Sequence, residues 1–334
     1  MLRKLNYRSY RLLLPIFTLF FIGCSSTEDD QPYAELPNNQ LSDIPTTLKA
    51  MENGLEEDAS GTLERRNGQP TFATFNAALG STGLASVFAR NELTVFAPTD
   101  QAFAALNLNP GNVRNQPDLV EILLYHVVEG TVLSTDLNDG FVPTLNGSAV
   151  EISLSDGAKV NDSNIILLDR RARNGVIHGI DEVLLPPTKN IFEIADDNDN
   201  FKLLITAIQL AGLEDFLANT NNITVFAPTD QAFADLIKEL PGINTIDELI
   251  AFLDVEGLIN VLAYHVFDGG RVYSSDLANT SIQMFSGEEV AIDIDGPKLI
   301  DFNNRESNII ATDIQATNGV IHVIDRVILP DLGL

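Results

Sequence analysis

Apolar positions along this chain fall into two kinds of spacing, and the two kinds alternate. Phe72, Phe75, Leu79, Leu84 and Phe88 recur at three- to five-residue steps, which predicts an amphipathic helix pair broken near Gly80 and Gly83. A continuous apolar run, Leu93 to Ala97, follows and reads as a buried strand stopped by Pro98, because proline cannot donate to a sheet ladder. Thr99 is then placed to cap a helix, and Asp100 puts negative charge in its first turn, where the helix dipole favours it. Pro117 opens a further helix whose inward stripe is Leu119, Ile122, Leu123 and Val127. Beyond it the spacing turns strand-like: Val142–Leu145, Val150–Leu154, Ile165–Leu168 and Val176–Leu185 are short β-prone runs separated by Asn-Gly, Asp-Gly and Asn-Asp turn signals.

The whole scheme then repeats. LTVFAPTDQAF at Leu93–Phe103 returns as ITVFAPTDQAF at Ile223–Phe233, LLYHVVEG at Leu123–Gly130 as LAYHVFDGG at Leu262–Gly270, and NGVIHGIDEVLLP at Asn174–Pro186 as NGVIHVIDRVILP at Asn318–Pro330. Phe201, Leu204, Ile208, Leu213 and Leu217 mirror the first helical stripe, with Gly212 matching Gly83, and Thr229 and Asp230 repeat the cap. Ile282–Phe285, Val290–Ile294, Asn308–Ile310 and Val320–Leu329 repeat the strands, and Thr245-Ile246-Asp247-Glu248 makes a capping-box pattern. The offset between copies grows from 130 to 139 to 144, so the second copy carries extra residues around Leu240–Glu256 and Asp295–Arg305, which we assign to surface connections. Asn174-Gly175 and Asn318-Gly319 read as tight hairpins with both central residues at positive φ. Pro186-Pro187 closes the first copy, and the short Thr188–Asn190 link favours a fixed or narrowly hinged pair.

The order TVFAPTDQAF, then YHVVEG with STDL or SSDL after it, then NGVIHxID resembles the fasciclin domain, in two copies covering roughly residues 60–334. The resemblance implies an α+β fold: two tandem fasciclin-like domains, each a wedge of β-sheets packed against several α-helices. It also implies adhesion or ligand binding at a cell surface, without catalysis or cofactor. In animal fasciclin proteins integrin-directed adhesion is tied to the Tyr-His segment and to an Asp-Ile pair shortly before Asn-Gly-Val. That carries over to Tyr125, His126, Tyr264, His265, Asp313 and Ile314 as candidate adhesion residues; the first domain reads Asp169-Arg170 where the second has Asp313-Ile314. A strand ending is the structural alternative for the Asp-Ile pair, and the second domain is the better candidate for recognition.

The beginning of the chain adds an address. Arg3, Lys4, Arg8 and Arg11 precede an apolar run from Leu12 to Ile22 that ends in Gly23-Cys24, too short to span a bilayer comfortably. It resembles a bacterial lipoprotein signal, with residues 1–23 as signal peptide and Cys24 as the lipidated residue. Multiple acyl chains on Cys24 would hold the protein firmly where one would not. Residues 24–60, beginning Ser25-Ser26-Thr27-Glu28-Asp29-Asp30 and rich in Pro and Asn, read as an acidic, flexible tether. Its acidic run resembles the surface-export signal of lipoproteins in Bacteroidota-type bacteria. An outer-membrane lipoprotein displayed on the surface is the reading, with the periplasmic face as the alternative. The first domain is set at 61–187 and the second at 188–334.

Composition narrows the chemistry. Formal net charge is −27, and without the four basic residues of the signal 16 basic side chains face 47 acidic ones, a net −31. Such a chain is repelled by nucleic acid, and nucleic-acid binding is excluded. Cys24 is the only cysteine, so no intramolecular disulfide forms. All four histidines sit in the repeated motifs, two per domain, with no carboxylate at fixed spacing to complete a zinc set; they read as hydrogen-bonded within the fold. Neither domain has a nucleophile elbow, a phosphate loop, an H-E-x-x-H pair or a reactive cysteine. Asp196/Asp197 and Glu288/Glu289 sit in loop-like sequence, and with no tryptophan the chain lacks a sugar-stacking platform for glycoside hydrolysis. The expected partners are the membrane, through the lipid anchor, and an extracellular glycan, a matrix or cell-surface protein, or a second copy in homotypic contact. The rival reading is a ligand-capturing accessory lipoprotein of an outer-membrane uptake or glycan-degrading system.

Overall fold

The computed structural model describes residues 41–52, 55–57, 63–65 and 69–332. The signal segment, Cys24 and the acidic run after it lie outside the described residues. In the first domain the elements are α1 Ile44–Met51, β1 Leu55–Glu57, β2 Leu63–Arg65, α2 Ala73–Thr82, α3 Ala85–Arg90, β3 Leu93–Pro98, α4 Asp100–Ala105, α5 Leu119–Tyr125, β4 Val127–Glu129, β5 Gly140–Pro143, β6 Ala149–Ser153, β7 Lys159–Val160, β8 Ser163–Ala172 and β9 Gly175–Ile180. The second repeats all of these but β1 and β2, as α6 Ile191–Asp196, α7 Lys202–Ala211, α8 Glu214–Asn219, β10 Ile223–Pro228, α9 Asp230–Glu239, α10 Ile246–Ala263, β11 Val266–Phe267, β12 Thr280–Gln283, β13 Glu289–Asp293, β14 Lys298–Ile300, β15 Glu306–Gln315 and β16 Gly319–Ile324.

Each domain is built on a seven-stranded sheet with helices against it, and β1 and β2 form a separate two-stranded antiparallel sheet. The orders, β4-β3-β9-β8-β7-β6-β5 and β11-β10-β16-β15-β14-β13-β12, are identical in topology. The motif strand β3 runs parallel to β9, and β10 to β16; both pairs are buried along their whole length, as central parallel strands must be. On the helical side Phe72, Phe75 and Phe88 are fully buried, each contributing roughly 1.5–3 kcal/mol. A second core of Phe96, Tyr125, Val150 and Ile152 fills the other side. The long strands β8 and β15 carry the sheet between these halves through register shifts at 167/170 and 311/314.

The repeated turn motif does more than the sequence suggested. Thr99 and Thr229 cap α4 and α9 through bonds from Ala102 N and Ala232 N. Asp100 reaches across to α2, whose own N-cap residue Phe72 supplies no side-chain bond, and accepts from Ala73 N, Thr74 N and the Thr71 hydroxyl. Burial pushes the Asp100 carboxyl up, but those bonds outweigh it and hold it below the ordinary carboxylate range. Asp230 accepts from Leu203 N at the matching place.

Four expectations are corrected. Residues 44–51 fall in the segment read as tether, yet they form α1, whose Ile44, Leu48 and Met51 are buried in the first core; Asp43 caps it, and Ile44 N–H donates to Asn174 Oδ1. It is the counterpart of α6, where Ile191 N–H donates to Asn318 Oδ1. The Asn-Gly pairs do join antiparallel strands, β8 to β9 and β15 to β16, but not through two positive φ angles. Gly175 alone has φ +144°, and a Cβ on Gly175 or Gly319 would lie 1.9 Å from Leu93 O or 2.2 Å from Ile223 O. Glycine is there so that β9 and β16 can approach their neighbours. The Asn side chains are three-way ties: Asn174 Nδ2 also donates to Phe88 O and Asn91 O, and Asn318 Nδ2 to Leu217 O and Thr220 O. Pro117 does not open α5, which begins at Leu119 after Asp118 turns to φ +54°. Finally, the extra residues near 240–256 are not a mere connection: they supply the first half of α10, which kinks at Asp254 and buries Leu249.

Candidate functional site

The Tyr-His pairs lie in the core. Tyr125, His126, Tyr264 and His265 are each 3 % exposed or less. α5 and α10 end at these pairs, and each histidine folds back so that Nδ1 bonds the carbonyl one turn earlier, Ile122 O or Val261 O, both at 2.7 Å. With Nδ1 donating, Nε2 accepts from Leu184 N at 2.9 Å or Ile328 N at 3.2 Å. Each imidazole therefore stitches the helix end to the segment after the last strand as a neutral ring, and desolvation lowers both histidines to about 4. Tyr125 OH donates to Ala149 O, and Tyr264 OH donates to Glu289 O and accepts from Phe302 N. As adhesion residues in direct contact with a partner these four are displaced by their burial: their polar atoms are engaged inside the fold.

Asp313 is different. It sits at the bulge of β15 at φ +62°, half-buried, and its carboxylate accepts from Ser274 N at 2.7 Å and the Ser274 hydroxyl at 2.5 Å, fixing the SSDL turn. Asp169 holds Ser134 of STDL in the same way at φ +54°, so replacing the following Ile by Arg170 leaves this tie intact. The remaining histidines stand behind it. His178 Nδ1 accepts from Asp169 N and its Nε2 donates to Val132 O; His322 does the same with Asp313 N and Val272 O. Burial lowers both histidines. Ser, Asp and His thus gather in each domain, but both imidazole nitrogens bond the backbone, so neither ring takes a proton from the serine. Ile314 packs onto the helical core of the second domain.

Asp313 also faces the first domain. Phe141 and Tyr273 stack with centroids 4.4 Å apart and an interplanar angle of 11°. The Gln315 amide pairs with the backbone of Ala149 in both directions, Oε1 accepting from N at 3.0 Å and Nε2 donating to O at 2.9 Å, and Tyr273 OH donates to the same Oε1. Arg271 braces this side by donating to Ala316 O, Thr317 O and Gly319 O. Beside the contact opens a cleft of about 560 Å³ lined by Glu151, Asn161 and Asp162 of the first domain and Ser274, Thr312 and Asp313 of the second. Its walls are hydroxyl, amide and carboxylate groups together with Phe141, a set suited to many weak hydrogen bonds with a polar ligand.

A model of the Fasciclin domain matches residues 70–186 and again 199–330. The chain belongs to the fasciclin domain family. Among its relatives, transforming growth factor-beta-induced protein ig-h3 of Sus scrofa is 30 % identical over 248 residues, 71 % of this chain and 35 % of that protein. Protein sll1483 of Synechocystis is 38 % identical over 162 residues, 46 % of this chain and 89 % of its own. The chain spans about a third of the length of the first curated relatives it matches. A solved FAS1 domain pair from the insect cell adhesion molecule fasciclin I aligns over 77 % of this chain and 95 % of its own, at 21 % identity and a TM-score of 0.37.

Within this fasciclin pair Asp313 and Ser274 of the cleft fall in the repeated motifs, whereas Phe141, Glu151, Asn161, Asp162, Thr312 and Gln315 lie outside them and were missed by motif reading. A signal existed: at matched positions the copies differ, with Phe141 facing Ser281, Tyr273 facing Leu133, Arg271 facing Thr131 and Gln315 facing Arg171. Among the described residues no cluster of three or more His, Cys, Asp or Glu has the arrangement of a metal site, and no helix is long and apolar enough to cross a membrane.

Proposed function

We propose that this protein is a cell-surface adhesion or ligand-binding lipoprotein, non-catalytic, that recognises a polysaccharide, a matrix component or another cell through the cleft between its two fasciclin domains. The observation that carries this reading is the pairing of the domains by Gln315 and the Phe141–Tyr273 stack, which holds a polar, solvent-open cleft in a fixed shape. Fixed shape matters because it removes the ordering cost that a hinged pair would meet on binding. The acidic surface favours neutral or basic ligands over anionic ones.

Anchoring completes the proposal. Acylated Cys24 holds the chain to the outer membrane, and the residues after it set the domains out on the cell surface. Metabolic labelling with a palmitate analogue tests the anchor: label on the wild type and none on Cys24→Ala supports it, whereas a Cys24→Ala protein still held by the membrane contradicts it. Recognition is tested by presenting the purified chain to a panel of glycans and matrix proteins at physiological salt, with selective binding expected and uniform absence of binding counting against it.

A further inference from the structure

The two domains fill their helical cores differently. Where the first has Leu48, Phe75, Phe88 and Leu124, the second has Ala195, Leu204, Leu217 and Ala263. Each replacement removes three side-chain carbons. All four of the smaller residues line one cavity of about 70 Å³ between α6, α7, α8, α10 and the sheet. In the first domain Phe75 and Phe88 occupy the matching space, their rings 6.4 Å apart and the Phe75 ring 6.2 Å from His126.

Bulk reappears at the mouth. Phe216 and Phe285 stand where the first domain has Val87 and Leu145, with ring centroids 4.9 Å apart, and Phe285 and Ile259 are 47 % and 37 % exposed. The lining therefore runs from the buried interior to solvent between two aromatic rings. Its one polar side chain, His265, has both ring nitrogens bonded to backbone, so no polar group calls for water inside. Apolar cavities of this kind stay dry and take apolar guests. At roughly 30 Å³ per group, the share of a water molecule in the liquid, the interior has room for the last two or three carbons of a chain. α8, which carries Phe216, opens with Glu214 and Asp215, and Phe285 is followed by Glu288 and Glu289, so an anionic head is disfavoured there.

We propose that the second domain binds an uncharged molecule ending in a hydrocarbon chain, with the chain end seated among Ala195, Leu204, Leu217 and Ala263 and the remainder leaving between Phe216 and Phe285. This site is separate from the interdomain cleft and does not depend on what the cleft binds.

The test uses the full chain carrying Cys24→Ala, so that no acyl group of its own competes, titrated with 1-octanol while methyl resonances are followed by NMR. Saturable shifts of the Leu204, Ile208 and Leu217 methyls, with first-domain methyls unmoved, are expected. Ala263→Leu and, separately, Leu217→Phe restore the filling of the first domain and should weaken 1-octanol binding at least tenfold; second-domain amide resonances as dispersed as those of the parent chain establish that each variant is folded. No saturable shift in the parent chain, or undiminished binding by a folded filled variant, overturns the proposal.

Discussion

The first and second domains use the same polar side chains at the same structural joints and differ at matched positions elsewhere. Asn174 and Asn318, His126 and His265, Asp169 and Asp313 make equivalent bonds to equivalent backbone atoms, although the copies have drifted in length and sequence. What separates the domains is concentrated in two places: the facing surfaces, where Phe141, Tyr273 and Gln315 have no like counterparts, and the helical core, which is filled in one domain and hollow in the other. Motif residues in this fold therefore report on construction, and departures from the repeat report on specialisation.

The comparison breaks hardest at the close approaches. Gly175→Ala and Gly319→Ala place a Cβ within 2.2 Å of a carbonyl oxygen in a central parallel pair, and each should cost more than about 4 kcal/mol, measured by denaturant unfolding. Acid comes next. His126 and His265 are neutral in the fold and lowered to about 4, against about 6.5 unfolded, so their contribution is complete above pH 6.5 and is lost as pH falls towards 4. Each should remove about 3 kcal/mol over that window. Urea midpoints that stay level from pH 7 to 4.5 would contradict the buried, doubly bonded rings.

Smaller effects sharpen the contrast between copies. Asn318 is 3 % exposed whereas Asn174 is only partly buried, so Asn318→Ala should destabilise by about 2–3 kcal/mol and Asn174→Ala by less, compared by thermal unfolding. Gln315→Ala removes both amide bonds across the interface and should cost about 1–2 kcal/mol of coupling. Calorimetry checks this: the wild type should unfold with its domains coupled, and the variant should separate into two transitions. A pair of separate transitions already in the wild type would show that the contact does not couple them.

The motif strands, the Thr99 and Thr229 caps and the sheet-rich back halves were legible because their signals are local: a buried run, a proline and a hydroxyl at fixed spacing. The short strands Lys159–Val160 and Lys298–Ile300 were not, since two or three residues carry too little periodicity to separate from a turn. α1 was hidden by its polar, proline-containing surroundings; its three buried residues only become a core face once Asn174 receives its N-terminus. The Tyr-His pairs were legible as hydrogen-bonded residues but not as inaccessible ones, because burial depends on what packs over them. Asp313 was legible as a motif position, but its bond to Ser274 and its place in the cleft were not, because they depend on a strand bulge and a neighbouring domain.

The most direct test is binding by the cleft itself. Thr312 is exposed on the cleft wall, and Thr312→Trp fills the space without touching either core. On the panel ligand that the wild type retains, this variant should lose binding at least tenfold while its thermal unfolding stays unchanged. Full binding by a folded Thr312→Trp protein would contradict recognition between the domains.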